Sequence, residues 1–420
     1  MKKLGFAVGG AALLCAAPAL AQAAPAFDVE QATQAYMATL SGAARTKSDA
    51  YFEGGYWLLL WGFLVGAAIN LAFLHFGWSS RLSAWAERKS GGRPFLRSLL
   101  WAAPFIVATS AIALPWTIYT GFVREHQYDL ATQTFGAWFG EQLIGLAIGT
   151  IVGTLLIAGL LALVRRFGNG WWGIGAAVTV ALLAFMLLLA PVLVEPLFNK
   201  YTPMQAGTLR EQILSMARAN TVPADNVYVV DQSRQTTRIS ANVAGLGPTI
   251  RIALNDNLLN QSTPAEVRSV MGHELGHYVL NHSFSLLLGL GLIILVGYLA
   301  VAKIVPAMLA RWGGRWGVTS LADPAVVPAA MIVISAYFLL ATPLTNSLVR
   351  AHEQEADVFG LNAARAPDGF AKIAMKLSTY RKIEPGKWEE IIFYDHPSGR
   401  TRVETAMRWK AEHLTEAGIE

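Results

Sequence analysis

Residues Val270–Met308 read VMGHELGHYVLNHSFSLLLGLGLIILVGYLAVAKIVPAM, and the two halves of this stretch ask for different surroundings. From Phe284 the run carries no charge until Lys303. It reaches the ~20 residues that a hydrocarbon core requires. It is apolar all round rather than along one stripe, so it reads as a membrane span and not as a surface helix. Ahead of it, Pro264 and Glu266 open a helix that runs through Val270 to Leu280, with Ser262 or Thr263 as its cap. Val267, Val270, Met271, Val279 and Leu280 make that helix largely apolar, yet it holds His273, Glu274 and His277. Ionisable groups in such a setting are costly unless they are paired or bound to a metal.

Five more runs of the same kind flank this one: Tyr56–Trp78, Leu99–Val123, Leu143–Val164, Trp171–Val194 and Ala325–Leu344. Trp and Tyr gather at several of their ends, as at a bilayer interface. The composition agrees. Of 420 residues, 54% are hydrophobic and only 15% charged, against about a quarter charged in soluble domains. An ordinary soluble enzyme and a disordered chain are both excluded. Six spans are expected, or seven if the N-terminal segment also crosses.

Lys2 and Lys3 precede an apolar stretch from Leu4 to Leu20, and Ala21-Gln22-Ala23 follows as a cleavage pattern. Residues 1–23 therefore read as a signal peptide or a first membrane helix. Among the loops, one carries Arg81, Arg88, Lys89, Arg93 and Arg97, another Arg165 and Arg166, and a third Arg311 and Arg315 close after Lys303. A non-basic loop with Arg124, Glu125 and Asp129 alternates with them. The positive-inside rule makes the basic loops cytoplasmic. The expected localisation is a bacterial inner membrane, with the soluble pieces on the periplasmic side. The net charge of +5 is thus spent on topology, and no nucleic-acid partner is expected.

The expected organisation has five parts: residues 1–23; an N-terminal membrane domain over 24–198 with about four spans; a soluble segment over 199–282; two further spans over 283–345; and a C-terminal soluble part over 346–420. In the first soluble segment, 203–220 reads as a helix on Met204, Leu209, Ile213 and Met216. Asn226–Asp231 and Thr249–Leu254 read as strands, the second as a sheet edge.

His273 and His277, at i and i+4, share one helical face. Neutral imidazole is a good zinc ligand, and Glu274 between them can take a proton from an activated water, the arrangement of a metalloprotease. With one cysteine in the chain, Cys15, a metal must be held by His and carboxylates. A catalytic zinc has three protein ligands. The third falls in Arg350-Ala351-His352-Glu353-Gln354-Glu355-Ala356-Asp357, where spacing leaves Glu353, Glu355 and His352 open. Another acid of this cluster could orient a ligating histidine.

On these motifs the chain resembles the type I CAAX prenyl proteases, integral-membrane zinc metallopeptidases of the endoplasmic reticulum, and their bacterial relatives. It is similar, more distantly, to the bacterial heat-shock membrane protease. The resemblance runs from Leu114-Pro115-Trp116 through Pro196–Pro203, Ser240–Gly245, the Gly272–His282 helix and Glu353-x-x-Ala356-Asp357 to Asp395-His396-Pro397. It implies an all-α multi-pass membrane protein with a small α+β zinc-metallopeptidase domain, HExxH and gluzincin-like, built from two extramembrane segments. It also implies one Zn2+ per chain on His273, His277 and Glu353. Asp357 then orients a zinc histidine, Glu274 is the general base, Asn242 holds substrate backbone, and His396 and Arg402 approach the scissile carbonyl or steady its oxyanion. Asn70, Gln142 and Asn346 are the polar residues near span ends that could line an intramembrane chamber. Two features depart from the family. Val349 stands where it has Ser, and the loop charges put the site outside the cytoplasm, whereas the eukaryotic enzymes expose theirs to the cytosol.

The expected substrate is a peptide or a membrane protein reached from the lipid bilayer. Site-specific processing and quality-control cleavage are both compatible with the sequence. A non-catalytic transporter or scaffold is disfavoured, because its ionisable residues would sit mid-span and here they sit at span ends. Oligomeric state is not legible.

Overall fold

The computed structural model describes residues 27–245, 250–416 and 418–419. The signal-like segment and Thr249 lie outside them. Helix α1 (Val29–Met37) precedes the long helix α2 (Gly42–His75), the short α3 (Trp78–Ser90) and α4 (Pro94–Ile118), which continues through a wide turn into α5 (Arg124–Gln127). Then come α6 (Phe135–Phe167) and α7 (Trp171–Leu189). Five helical stretches are long and apolar enough to cross a membrane, and one of them, Phe135–Leu187, contains both α6 and α7. That stretch is folded on itself at Gly168–Gly170: a Cβ on Gly175 would lie 3.2 Å from Leu160 Cδ2, which a straight helix rising ~1.5 Å per residue would hold about 20 Å away. With α11 (His282–Trp316) and α12 (Val327–Ala364), the described residues hold six helices that are candidate crossings, the number expected.

Between α7 and α11 lies a four-stranded sheet of β1 (Tyr201–Pro203), β2 (Val227–Val230), β3 (Ala241–Ala244) and β4 (Arg251–Asn255), in the order β1-β2-β4-β3. Only β2 and β4 run parallel. Helices α8 (Thr208–Ala219), α9 (Asp256–Gln261) and α10 (Pro264–Val279) complete this segment. Two sequence expectations are corrected here. The helix expected over 203–220 begins only at Thr208, because Pro203 ends β1 and Gly207 is fully extended. The strand expected at a sheet edge, β4, is interior, since it pairs with β2 on one side and β3 on the other. The edge belongs to β3, which carries Asn242. After α12 follow α13 (Pro367–Leu377), α14 (Lys387–Phe393) and α15 (Gly399–Glu412).

The basic loops meet at one end of the bundle. Trp101 Nε1 donates to Ser79 O at 3.1 Å and Ser79 Oγ to Ala325 O at 2.9 Å. Arg97 pairs with Asp323 at 2.8 Å, and Arg165 donates to Ser98 Oγ and Ala322 O, both at 3.2 Å. Phe73, Leu74, Trp101, Phe105 and Trp171 fill the core beneath them. The sheet, α10 and the C-terminal helices occupy the opposite end. There β4, α8 and α10 close one core on Ile213, Leu254, Leu258, Met271 and Leu275. Helix α1 joins α13 and α15 in a second, around Met37, Phe370 and Met407.

Candidate metal centre

Helix α10 is fixed at its start by a reciprocal cap. Thr263 Oγ1 accepts from the Glu266 N–H, and Glu266 Oε2 accepts from the Thr263 N–H at 2.6 Å. Lys376 closes on the same carboxylate at 2.8 Å. Farther along, α10 crosses α12 with no side chain between the backbones. A Cβ on Gly272 would lie 2.8 Å from Gly360 O, and one on Gly360 would lie 2.7 Å from His273 N. Helix axes can come this close only where both residues are glycine. The approach brings His273 and His277 of α10 within reach of Glu353 and Asp357 of α12, although α12 rises out of a membrane span without a break.

Among the described residues, one set of His and acidic groups converges as a metal site would require: His273, His277 and Glu353, with ligand atoms all within 4.8 Å of one another. His273 Nε2 lies 3.1 Å from His277 Nε2 and 3.2 Å from Glu353 Oε2, and His277 Nε2 lies 3.4 Å from Glu353 Oε1. Glu353 Oε2 is buried and has no hydrogen-bond partner. Two imidazole nitrogens and an unsatisfied carboxylate oxygen facing one point is a donor set that fits a divalent cation.

His273 Nδ1 donates to Asp357 Oδ1 at 2.8 Å. Asp357 is 2% exposed and takes two bonds from Arg402, Nε to Oδ2 at 2.9 Å and Nη2 to Oδ1 at 2.5 Å. Burial alone would lower the His273 pKa, but the Asp357 bond and the facing Glu353 carboxylate push it up to about 10. Burial raises the Glu274 carboxyl above its usual range, against the opposing effect of the two histidines. Glu274 lines a cleft with His273, His396, Ser240, Ala241 and Tyr380. His396 Nε2 approaches Glu353 Oε2 at 3.2 Å, and its Nδ1 bonds Asp395 Oδ1 at 2.8 Å.

Of the residues singled out in the sequence, His273, Glu274, His277, Glu353, Asp357, His396 and Arg402 are brought together. Arg402 lines the same cleft as Glu274 and His396 and also gives two of its three nitrogens to Asp357. Asn242 sits on β3 beside Ala241 of the cleft, and its side-chain oxygen is buried without a partner. Asn346 donates to Ile392 O at 2.8 Å, tying α12 to α14, and Asn70 donates to Gly66 O within its own helix. Gln142 lines a polar cavity with Glu141, Glu195 and Gln235, away from the metal ligands. Glu355 and His352 turn away from the convergent atoms. They meet His282, whose role spacing did not suggest: His282 Nδ1 lies 2.9 Å from His277 Nδ1, and His282 Nε2 lies 3.0 Å from Glu355 Oε2.

Two family models match adjoining stretches of the chain. One, described as the CAAX prenyl protease N-terminal region with five membrane helices, covers residues 30–200, and peptidase family M48 covers residues 203–410. Four long helices, α2, α4, α6 and α7, fall in the first range, together with α3, which is too short and too charged to cross. The chain is 28% identical over 351 residues to the "uncharacterized metalloprotease YhfN" of Bacillus subtilis, covering 82% of each protein. It is 26% identical over 346 residues to a "CAAX prenyl protease 1 homolog" of Oryza sativa, covering 76% of this chain and 77% of that one. The crystal structure of S. mikatae Ste24p shares its fold, with a TM-score of 0.71 at 20% identity, over 90% of this chain and 94% of that one. Two adjoining family matches, the shared fold and a convergent His-His-Glu set beside Glu274 lead to one statement: this chain belongs to the M48 peptidases and is a multi-pass membrane metallopeptidase.

Proposed function

We propose that the metal is a single zinc ion held by His273, His277 and Glu353, and that the chain is an endopeptidase acting on peptides or membrane-associated proteins. Zinc is the ion suited to two imidazoles and a carboxylate with one position open. When bound there, it supplies Lewis acidity and lowers the pKa of water. Glu274, held in the cleft with a raised pKa, accepts the proton of the attacking water and passes it to the leaving amine. His396, steadied by Asp395, donates to the carbonyl oxygen as it gains charge. Asp357 fixes the tautomer and rotation of His273, and Arg402 fixes Asp357. Asn242, on the edge strand β3 and with a buried side-chain oxygen that has no partner, aligns an extended substrate by strand addition.

We also place the site outside the cytoplasm, on the periplasmic face of a bacterial inner membrane. The support is that Arg81, Arg97, Arg165 and Arg315 lie on α3 and near the ends of α4, α6 and α11, gathered at the end of the bundle opposite α10. Prenylated substrates, which the relatives' names concern, are not expected on that face. The proposal is therefore a peptide or membrane-protein substrate without a required lipid.

The convergence of His273, His277 and Glu353 next to Glu274 carries this reading. Glu274→Gln is expected to keep stoichiometric zinc and lose hydrolysis of a generic peptide; sustained turnover by a clean Glu274→Gln preparation would overturn the role. A periplasm-active reporter fused after Glu420 tests the orientation, and activity only of a cytoplasmic reporter would reverse it.

A further inference from the structure

His282 is 2% exposed, yet nothing in the hydrolytic chemistry uses it. It is placed by the turn between α10 and α11, where Asn281 adopts a left-handed conformation at φ 55°. That turn folds the first residue of α11 back onto the last turn of α10 and sets the two imidazoles 5.0 Å apart, edge to face. We propose that His282 and Glu355 are positioning residues, forming a second orienting arm of the metal centre, His277–His282–Glu355, that serves His277 as Asp357 and Arg402 serve His273. This rests on the reading that His277 Nε2 takes the metal.

Proton placement follows from the atoms. His277 Nε2 faces His273 Nε2 and Glu353. A neutral ring that gives Nε2 to an ion keeps its one proton on Nδ1. That proton points at His282 Nδ1, 2.9 Å away, which must accept it. The proton of His282 is then on Nε2, 3.0 Å from Glu355 Oε2, and an ionised carboxylate only accepts. The opposite tautomer of His282 would set two N–H groups against each other and turn a lone pair toward a carboxylate. His352 braces the flank of the arm. Its Nδ1 donates to Leu348 O at 2.8 Å, its Nε2 accepts from Ser285 Oγ at 2.6 Å, and its ring meets that of His282 at 4.7 Å and 76°. The two arms differ in character. The His273 arm ends on a buried guanidinium, whereas the His277 arm ends on Glu355, whose side chain is 65% exposed.

The test is zinc affinity of the full-length protein in detergent, measured by competition with a chromogenic chelator, with thermal unfolding of each metal-free variant alongside. His282→Phe keeps the ring volume and removes both bonds; it is expected to weaken zinc binding about 10–100-fold. His282→Asn, whose amide oxygen can replace Nδ1 as acceptor, is expected to recover most of that loss. Glu355→Ala is expected to weaken binding several-fold in the wild-type background and not at all when added to His282→Phe, because it acts only through His282. A folded His282→Phe with wild-type affinity would overturn the arm, and so would a Glu355→Ala effect of equal size in both backgrounds. Should His282→Phe fail to fold, wild-type affinity in Glu355→Ala, which removes the far end of the arm, overturns it equally. A wild-type chain that binds no zinc would instead sink the metal reading on which the arm rests.

Discussion

Adding one methyl group at Gly360 should damage the metal centre more than the fold. In Gly360→Ala the new carbon would lie 2.7 Å from His273 N and 3.0 Å from His273 Cα. An unstrained carbon contact needs ~3.5–4.0 Å. The obstructing atoms are backbone, which cannot rotate aside, so α10 and α12 must part by about 1 Å at this point. Overpacking of this kind typically costs about 1–3 kcal/mol, which lowers the melting temperature but leaves most chains folded. The site has less tolerance. Metal–ligand distances hold to about ±0.2 Å, and a shift of about 1 Å near reacting groups can cost ~100-fold in rate. His273 sits on one side of the gap while Glu353 and Asp357 sit on the other, so the added carbon pries the ligand set apart. Gly55→Ala, where a Cβ meets nothing within 4 Å, serves as the control. The assay compares zinc affinity, peptide hydrolysis and melting temperature across wild type, Gly360→Ala and Gly55→Ala. Zinc affinity for Gly360→Ala within twofold of wild type would refute the claim that glycine contact sets the site geometry.

Zinc affinity should rise with pH, because His273, pushed up to about 10 without metal, must release a proton for Nε2 to bind an ion; a chelator titration between pH 6 and 9 that shows no slope would contradict this. Stability of the metal-free chain should run the other way. A histidine raised from its ordinary value of ~6.5 contributes stability that is complete below that value and is lost as pH rises toward 10, which thermal melts of the chelated protein across that window would show. Thr263→Ala removes the side-chain half of the α10 cap and should cost about 1 kcal/mol with zinc affinity held near wild type, by paired melting and chelator measurements. Asp357→Asn should weaken zinc and also destabilise the fold, since it leaves the buried Arg402 without its charge partner; a variant as stable as wild type would argue against that pairing.

The spans were legible because length and uninterrupted apolarity suffice to define them, and the structure returns all six. Their ends were less legible. The run read as Leu143–Val164 belongs to a helix from Phe135 to Phe167, because a helix outlasts the hydrocarbon region wherever its backbone is still satisfied. The boundary expected between residues 345 and 346 is likewise no break at all. Helix α12 carries one face through lipid and then Glu353 and Asp357 into the peptidase part. The two histidines and Glu274 stood out by their i, i+4 spacing in an otherwise apolar helix, and the structure brings both histidines to Glu353. The acid that converges with them was not legible, because His352, Glu353 and Glu355 differ only in the direction they leave one helix. The choice is made by α10, the partner helix across the glycine contact. Strand β3 escaped notice because Ala241–Ala244 lacks an apolar alternation; it is defined by pairing with β4, a long-range fact. The bond from Arg402 to Asp357 was not legible, since a basic residue on a distant helix gives no hint that it also meets a buried acid.

The split of the proposed ligand set between α10 and α12 has a physical reason in the membrane. His277 and Glu353 are joined by a hairpin that enters and leaves the bilayer, closed by Gly297 against Ile334 and Tyr337, and by Gly289 against Leu348. Tyr337 also donates across the hairpin to Ile293 O at 2.8 Å. In lipid there is no hydrophobic force between helices, so such small-residue contacts and interhelical bonds must set their spacing. Above the bilayer, Arg350 donates to Glu390 O and Tyr394 O, and Asn346 to Ile392 O, fixing α12 to the C-terminal helices. The metal centre is thus the point where two regimes of packing meet. The hydrophobic core on Met271 and Leu275 holds α10 from the aqueous side, and the lipid-embedded hairpin holds α12 from below. A soluble fragment ending at His282 would keep both histidines and lack the carboxylate that completes the ligand set. The apolar excess of this chain is therefore part of how the site is assembled, and not merely an anchor for it.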